Sequence, residues 1–154
     1  MAKNYWLFKT EPEDYSLEDI KKDKKTYWDG VRNYQARNFL RDSIKKGDEV
    51  FLYQSNTDPL AVVAVCEVVK EGYADFTAME STHHHFDPKS TPDNPIWYMV
   101  DIKLTKVLKR PVTLKEIKEN LLMKDFRLIQ RGNRLSVMPV TEQEWKEILR
   151  LSGE

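Results

Sequence analysis

The sequence has a single cysteine, Cys66, so no disulfide can form within the chain. So little cysteine is typical of a protein in a reducing compartment. No apolar run approaches the roughly 18 residues of a membrane-spanning helix, and residues 1–5 lead into an apolar strand without the profile of a secretory signal. These absences predict an intracellular protein with no membrane partner, cytoplasmic in a bacterium or nuclear in a eukaryote.

Net charge is absent as well, because 25 basic and 25 acidic side chains cancel at pH 7. The chain as a whole therefore gives no electrostatic signal for a polyanionic partner. The charges are nevertheless segregated: residues 31–46 carry five basic side chains and one acidic, residues 47–101 carry two basic and ten acidic, and residues 102–154 are basic again. Local basic patches on a neutral chain indicate contact with a few phosphates.

The motifs of common enzyme classes are missing. There is no Gly-x-Ser-x-Gly, no phosphate loop and no dinucleotide-binding glycine pattern. Three consecutive histidines, His83–His85, invite a metal interpretation, but adjacent strand residues point to opposite faces, so at most His83 and His85 could share an ion. The sequence predicts a protein that is not an enzyme, with no catalytic residue, no cofactor and no bound metal.

The composition is that of one soluble domain. A chain of 154 residues is long enough for a substantial core, and no repeat, low-complexity segment or Gly/Ser linker divides it. Residues 1–154 are therefore predicted to form a single domain. Short strands are expected at residues 5–10, 49–54, 60–69, 96–104 and 135–138.

Helices are predicted from their N-terminal signals. Ser16, Thr113 and Thr141 each precede an acidic residue by three positions, which is the pattern of a capping box. Because strands do not alternate regularly with helices, the pattern argues against a doubly wound fold. It favours an α+β fold in which helices cover the ends of a small, twisted, mixed β-barrel.

Residues 28–41 are the most informative stretch, because they combine an aromatic ring, a turn glycine, two asparagines and three arginines. Asn33 is a good N-cap for a helix over residues 34–43. The apolar residues of that helix recur at helical spacing, which leaves Arg37 and Arg41 on the exposed face. Rings that stack, amides that read polar edges and guanidinium groups that hold phosphates are the components of a nucleic-acid site.

Two further clusters have the same chemistry. In residues 130–139, Arg131 and Arg134 flank a glycine and could hold a phosphate. Residues 53–56 place a tyrosine beside amides and a hydroxyl at a strand end, where the sites of barrel proteins form. Each cluster alone could be a solvated turn or part of the core, but three clusters of one kind favour nucleic-acid binding.

Five segments in chain order, residues 5–12, 28–41, 95–101, 110–114 and 131–140, resemble the EVE domain, a PUA-like family. The resemblance implies a PUA-like barrel, related in fold to the YTH readers of methylated adenine. It also implies binding of nucleic acid with modified bases, chiefly modified cytosine in DNA. Two departures are Gln54, where many relatives carry histidine, and the loop 83–86, where others tend to have tyrosine or charged residues.

Together these features give a hypothesis in which one base, flipped or unpaired, stacks in a pocket while cations hold the phosphates. Stacking contributes about 1–3 kcal/mol per base and a buried methyl group on the order of 1 kcal/mol, so polar groups must add to the discrimination. The predicted pocket residues are Trp28, Val31 through its amide, Asn33, Tyr53, Ser55, Asn56, Trp97 and Ser136. The predicted phosphate-binding residues are Lys9, Arg32, Arg37, Arg131 and Arg134.

The leading interpretation is a monomeric, non-enzymatic reader of modified bases in DNA or RNA. One alternative is an enzyme acting on nucleotides or modified nucleic acid, which would need a carboxylate or histidine near Trp28; Asp29 and Glu11 are the candidates. Another is a protein-interaction module that uses an aromatic surface. The reader requires the predicted rings to border an opening, and rings sealed inside the core would contradict it.

Overall fold

A computed structural model describes residues 3–13, 15–55, 59–133 and 135–153. Within these ranges lie six strands and four α-helices. The strands are β1 (Tyr5–Thr10), β2 (Lys25–Trp28), β3 (Glu49–Gln54), β4 (Ala61–Ala74), β5 (Tyr98–Thr113) and β6 (Val137–Val140). The α-helices are α1 (Leu17–Asp23), α2 (Tyr34–Asn38), α3 (Leu114–Glu119) and α4 (Glu142–Leu151). Short 3-10 segments cover Phe76–Met79, Leu121–Met123 and Arg127–Ile129.

The six strands form one mixed sheet in the order β2-β5-β4-β3-β1-β6. Strands β1 and β3 are parallel, and the other neighbouring pairs are antiparallel. The predicted α+β class is thus confirmed. Closing a barrel requires the two edge strands to pair, but among the described residues no pairing joins β2 to β6. The sheet is open, and the predicted barrel is not confirmed.

The core lies around β3 and β4. The first six residues of β4 are all buried, as expected for an apolar, β-branched strand that is covered on both faces. Trp145 of α4 stacks on Phe51 of β3, with ring centroids 3.7 Å apart. Cys66 is fully buried in β4, and burial raises the pKa of its thiol to about 12, so it is an inert core residue.

The local capping signals behave as predicted. Full capping boxes at Ser16, Thr113 and Thr141 begin α1, α3 and α4. Asn33 caps α2 by accepting a hydrogen bond from the Ala36 amide at 3.0 Å. The predicted helix over residues 34–43 is α-helical only to Asn38 and continues as a π-helical segment over Phe39–Ser43.

Strand β2 was not among the predicted strands. Lys24, directly after α1, has a positive φ of 64°. Strand β2 then pairs antiparallel with β5, with Trp28 opposite Val100. It is an edge strand of only four residues, two polar and two aromatic, and gives little periodic signal. Every described helix is too short or too polar to cross a bilayer, and the cellular location stays a prediction.

Candidate nucleic-acid interface

An open cavity of about 1120 Å³ lies where the sheet does not close. One wall contains β2, the first edge strand, and another contains Lys9 and Thr10 of β1 together with Ser136, which precedes β6. Asp23 of α1 and a set of loop residues complete the lining, the latter being Glu11, Glu13, Tyr15, Asp29, Gly30, Val31, Ser55, His83, His84 and His85. Cavities of this size accommodate drug-sized ligands, so a nucleobase fits.

Five of the predicted site residues meet in this cavity: Trp28, Val31, Ser55, Ser136 and Lys9. Hydrogen bonds between backbone atoms hold the β1 side, since the Lys9 amide donates to the Ser136 carbonyl and the Ser55 amide to the Thr10 carbonyl, both at 2.8 Å. The predicted residues Asn56 and Arg134 lie outside the described residues.

Trp28 is chiefly a core residue that borders the cavity. Its side chain is 8% exposed, and its ring packs against Phe8 with centroids 5.4 Å apart and edge-on against Tyr15 at 6.2 Å. Tyr27, its neighbour in β2, also lines the cavity and is 45% exposed. Sequence analysis missed Tyr27 because the strand that presents it was not predicted.

Tyr53, Trp97 and Asn33 do not line the cavity, and their assignment to the base pocket stays a prediction. Tyr53 is buried in β3, and burial raises the pKa of its phenol to about 12. Trp97 is buried too, and its indole N–H donates to Asp87 at 2.7 Å. Asn33 uses its side chain to cap α2. The side chains of Tyr53 and Trp97 are buried in the core, and that of Asn33 caps a helix.

The predicted arginines also have structural partners. Arg32 donates to the Asp75 carboxylate at 3.0 Å and to the His85 carbonyl at 2.7 Å. Arg37 donates to the Ile96 carbonyl at 2.7 Å. Protein oxygens thus engage part of both guanidinium groups, and their assignment as phosphate ligands stays a prediction. Arg131 is exposed in a turn, away from the cavity lining.

Asp75, which the sequence analysis did not select, organises the segment 29–32. Its buried carboxylate accepts hydrogen bonds from Arg32, from the Gly30 amide at 2.9 Å and from Thr77. Burial alone would raise the pKa of Asp75, but the hydrogen bonds from Thr77, Gly30 and Arg32 outweigh it and hold the pKa below its ordinary value. In the sequence, Asp75 is marked only as an acidic residue directly after the strand β4.

The histidine segment does not have the strand geometry by which its capacity to bind a metal was judged. Residues 81–85 form turns, so all three imidazoles lie together, with centroids 4.7 Å apart for His83 and His84 and 3.9 Å apart for His84 and His85. The argument that only two of them could share an ion was therefore wrong. Asp29 lies beside them, with one carboxylate oxygen 3.1 Å from Nδ1 of His85.

The charge of the cavity is mixed. Lys9 and Lys25 line it together with the acidic side chains Glu11, Glu13, Asp23 and Asp29. The Tyr15 hydroxyl donates to Asp23 at 2.8 Å, and burial together with that hydrogen bond raises the pKa of Tyr15. Such a lining suits a base with several polar edges better than a bare phosphate chain.

Comparison with known proteins gives a consistent result. The model of the EVE domain family matches residues 4–151. Mouse thymocyte nuclear protein 1 is 42% identical over 167 residues, covering 96% of this chain and 73% of the relative. The structure of a hypothetical protein from Leishmania major superposes with a TM-score of 0.93 at 41% identity, covering 99% of this chain and 96% of that chain.

A further solved structure is the human THYN1 protein in complex with DNA that contains 5-methylcytosine. It superposes with a TM-score of 0.92 at 38% identity and covers 99% of each chain. The match of the family model over nearly the whole length, together with these identities, establishes the relationship. The chain belongs to the EVE domain family.

Proposed function

We propose that this chain is a non-enzymatic, monomeric DNA-binding domain that holds one modified cytosine in the cavity beside the open edges of its sheet. The observation that carries the proposal is the cavity itself, which brings Trp28, Tyr27 and two serines to one opening. The structure of the human relative in complex with DNA that contains 5-methylcytosine supports the choice of ligand, because the fold of that relative matches this chain along its whole length.

Of the aromatic residues that line the cavity, Tyr27 is the most exposed and is the ring proposed for stacking; it also lies edge-on against Phe76, with centroids 5.1 Å apart. Trp28 offers only a small part of its ring, so it would flank the base rather than form a full stacking face. Ser55 donates its hydroxyl to the Thr10 carbonyl at 3.2 Å, which leaves its oxygen able to accept from the amino group of a cytosine. Ser136 supplies a second hydroxyl at the same opening.

The methyl group alone gives a modest preference for the modified base. Burying one methyl contributes on the order of 1 kcal/mol, which corresponds to about a fivefold preference. Hydrogen bonds to the base edge, which is the same in both forms, would select cytosine over the other bases, and Val31, Ser55 and Ser136 are the residues we propose for it. Lys9 at the rim and the exposed Arg131 are the proposed phosphate contacts, joined by Arg134 from the sequence prediction.

The experiment is a titration with short duplexes that differ only in one cytosine, unmodified or 5-methylated, and with the matching RNA. For Tyr27→Ala we expect a loss of affinity of roughly 5- to 150-fold, the range of one lost stacking contact of about 1–3 kcal/mol. Tyr34→Ala is the matched control, because Tyr34 is 61% exposed and lies outside the cavity lining; it should leave the preference for the modified base unchanged.

Equal affinity for the modified and unmodified duplexes would contradict the proposal, as would no binding at low salt. Stronger binding to the RNA would replace DNA by RNA as the ligand. Release of a product from any oligonucleotide would favour the alternative of an enzyme that uses Glu11 or Asp29, both of which line the cavity.

A further inference from the structure

The three histidines of the chain form one cluster on the wall of the cavity. One ring nitrogen from each of His83, His84 and His85 lies within 4.8 Å of the other two. His83 and His85 are half-buried and His84 is exposed. The sequence contains only these three histidines, and its one cysteine is buried. Every accessible imidazole or thiol group of the chain therefore lies in this cluster.

We propose that His83, His84 and His85 bind a divalent transition-metal ion, best satisfied by Zn²⁺, with Asp29 orienting His85. This inference does not depend on the proposed DNA binding. Three neutral imidazoles and one open position are the ligand set of many zinc sites, and imidazole selects zinc and its neighbours over magnesium or calcium, which prefer oxygen.

The hydrogen bonds around the cluster indicate which nitrogen of each ring carries the lone pair. Nδ1 of His83 accepts from the His85 backbone amide at 3.0 Å, so His83 binds a metal either through Nδ1 in place of that bond, or through Nε2 after the ring proton has moved to Nδ1. A proton on Nδ1 of His85 can donate to Asp29 at 3.1 Å, which leaves the lone pair on Nε2 of His85. A carboxylate that fixes a histidine through its other nitrogen is the usual support of a zinc ligand.

The backbone on which the cluster rests is also fixed. Arg32 holds the His85 carbonyl and is itself paired with the buried Asp75. The His85 ring lies so close over Gly30 that a Cβ atom there would be 2.4 Å from a ring carbon. Two of the three rings are thus positioned by surrounding structure, and the exposed His84 is the one free to adjust.

Binding would require the rings to rotate. With Zn–N bonds of about 2.0–2.1 Å, a tetrahedral site holds its nitrogens about 3.4 Å apart. One nitrogen of each ring now lies within 4.8 Å of the others, and the rings of His83 and His84 are stacked, so their lone pairs must turn toward a common ion. Because all three histidines line the cavity, the bound ion would sit in its wall, with its fourth position taken by water or by a second ligand.

The experiment uses the full chain purified without a histidine tag and free of nucleic acid. Calorimetric titration with Zn²⁺ should give one site per chain, and Co²⁺ in its place should show the visible absorption of a nitrogen-liganded ion. His84→Ala should lower the Zn²⁺ affinity by at least tenfold, and Asp29→Asn by roughly 10- to 100-fold, as for other residues that orient a ligand.

Lys89→Ala is the matched control, since Lys89 is an exposed residue in the same loop region and not a metal ligand; it should bind Zn²⁺ like the unchanged chain. Circular dichroism of each variant separates loss of a ligand from loss of the fold. An affinity of the unchanged chain no higher than that of a variant lacking all three histidines would overturn the proposal, and so would an unchanged affinity in His84→Ala.

Discussion

The two sides of the cavity are held in place by different kinds of bond. On the β1 side, Lys9, Ser55 and Ser136 are positioned by hydrogen bonds between backbone atoms. On the opposite side, the segment 29–32 and the histidine turn are positioned by side chains, chiefly the Asp75 carboxylate and the Arg32 guanidinium. Side-chain substitutions on the β1 side should therefore change its structure little, because backbone atoms hold it. The structure of the opposite side depends on a few individual side chains.

Asp75→Ala should have the largest effect, because it leaves a half-buried Arg32 without its carboxylate and the Gly30 amide without its acceptor. Breaking a buried ion pair in this way costs about 3–5 kcal/mol of stability. Urea denaturation measures the change. Asp93→Ala, at an exposed acid, is the control and should stay within about 0.5 kcal/mol of the unchanged chain. A loss of less than about 1 kcal/mol in Asp75→Ala would mean that the backbone holds this side as well.

Gly30→Ala should have the next largest effect, and the chain supplies a close control. Gly30 and Gly132 have nearly the same positive φ, 77° and 78°, but an added Cβ at Gly30 meets the His85 ring whereas one at Gly132 meets no atom of the described residues within 4 Å. The left-handed backbone alone should cost each alanine variant about 1–2 kcal/mol. Gly30→Ala should lose more, because the ring must also move.

Thermal denaturation of the two alanine variants, side by side, gives the difference. The Gly30 variant should in addition bind Zn²⁺ more weakly than the Gly132 variant, since the His85 ring is displaced. Equal losses of stability and equal zinc affinities would show that the contact between Gly30 and the His85 ring is unimportant.

Ser136→Ala should have the smallest effect on stability, because Ser136 is bound into the structure through its backbone carbonyl. The free energy of unfolding should stay within about 0.5 kcal/mol. If the hydroxyl reads the base, the affinity for the methylated duplex should fall by about 0.5–1.5 kcal/mol, the value of one hydrogen bond. A titration of both duplexes checks this, and a large loss of stability would contradict the contrast between the two sides.

Signals that act over three or four residues were readable in the sequence. The capping boxes and the Asn33 cap were predicted because donor and acceptor are neighbours along the chain. The strand over residues 60–69 was predicted because the run is almost continuously apolar. Of the residues predicted for the site, Trp28, Val31 and Ser136 line one cavity.

Two features could not be read from the sequence because they depend on contact between residues far apart in the chain. Nothing in the sequence shows that Arg32 meets Asp75, 43 positions later. Tyr27 was overlooked because its edge strand exists only through pairing with β5. The histidines were judged by the geometry of a strand, while the structure places them in a turn.

The sequence by itself determined the class of the fold, the residues at which the helices begin, the buried strand and the family to which the chain belongs. Those properties depend on local periodicity and on short motifs, which the order of residues records directly. Only the tertiary structure decided which side chains face the cavity and which are held by other parts of the protein. An arginine, a tyrosine or a histidine has the same chemistry in either setting, and long-range packing alone selects its partners.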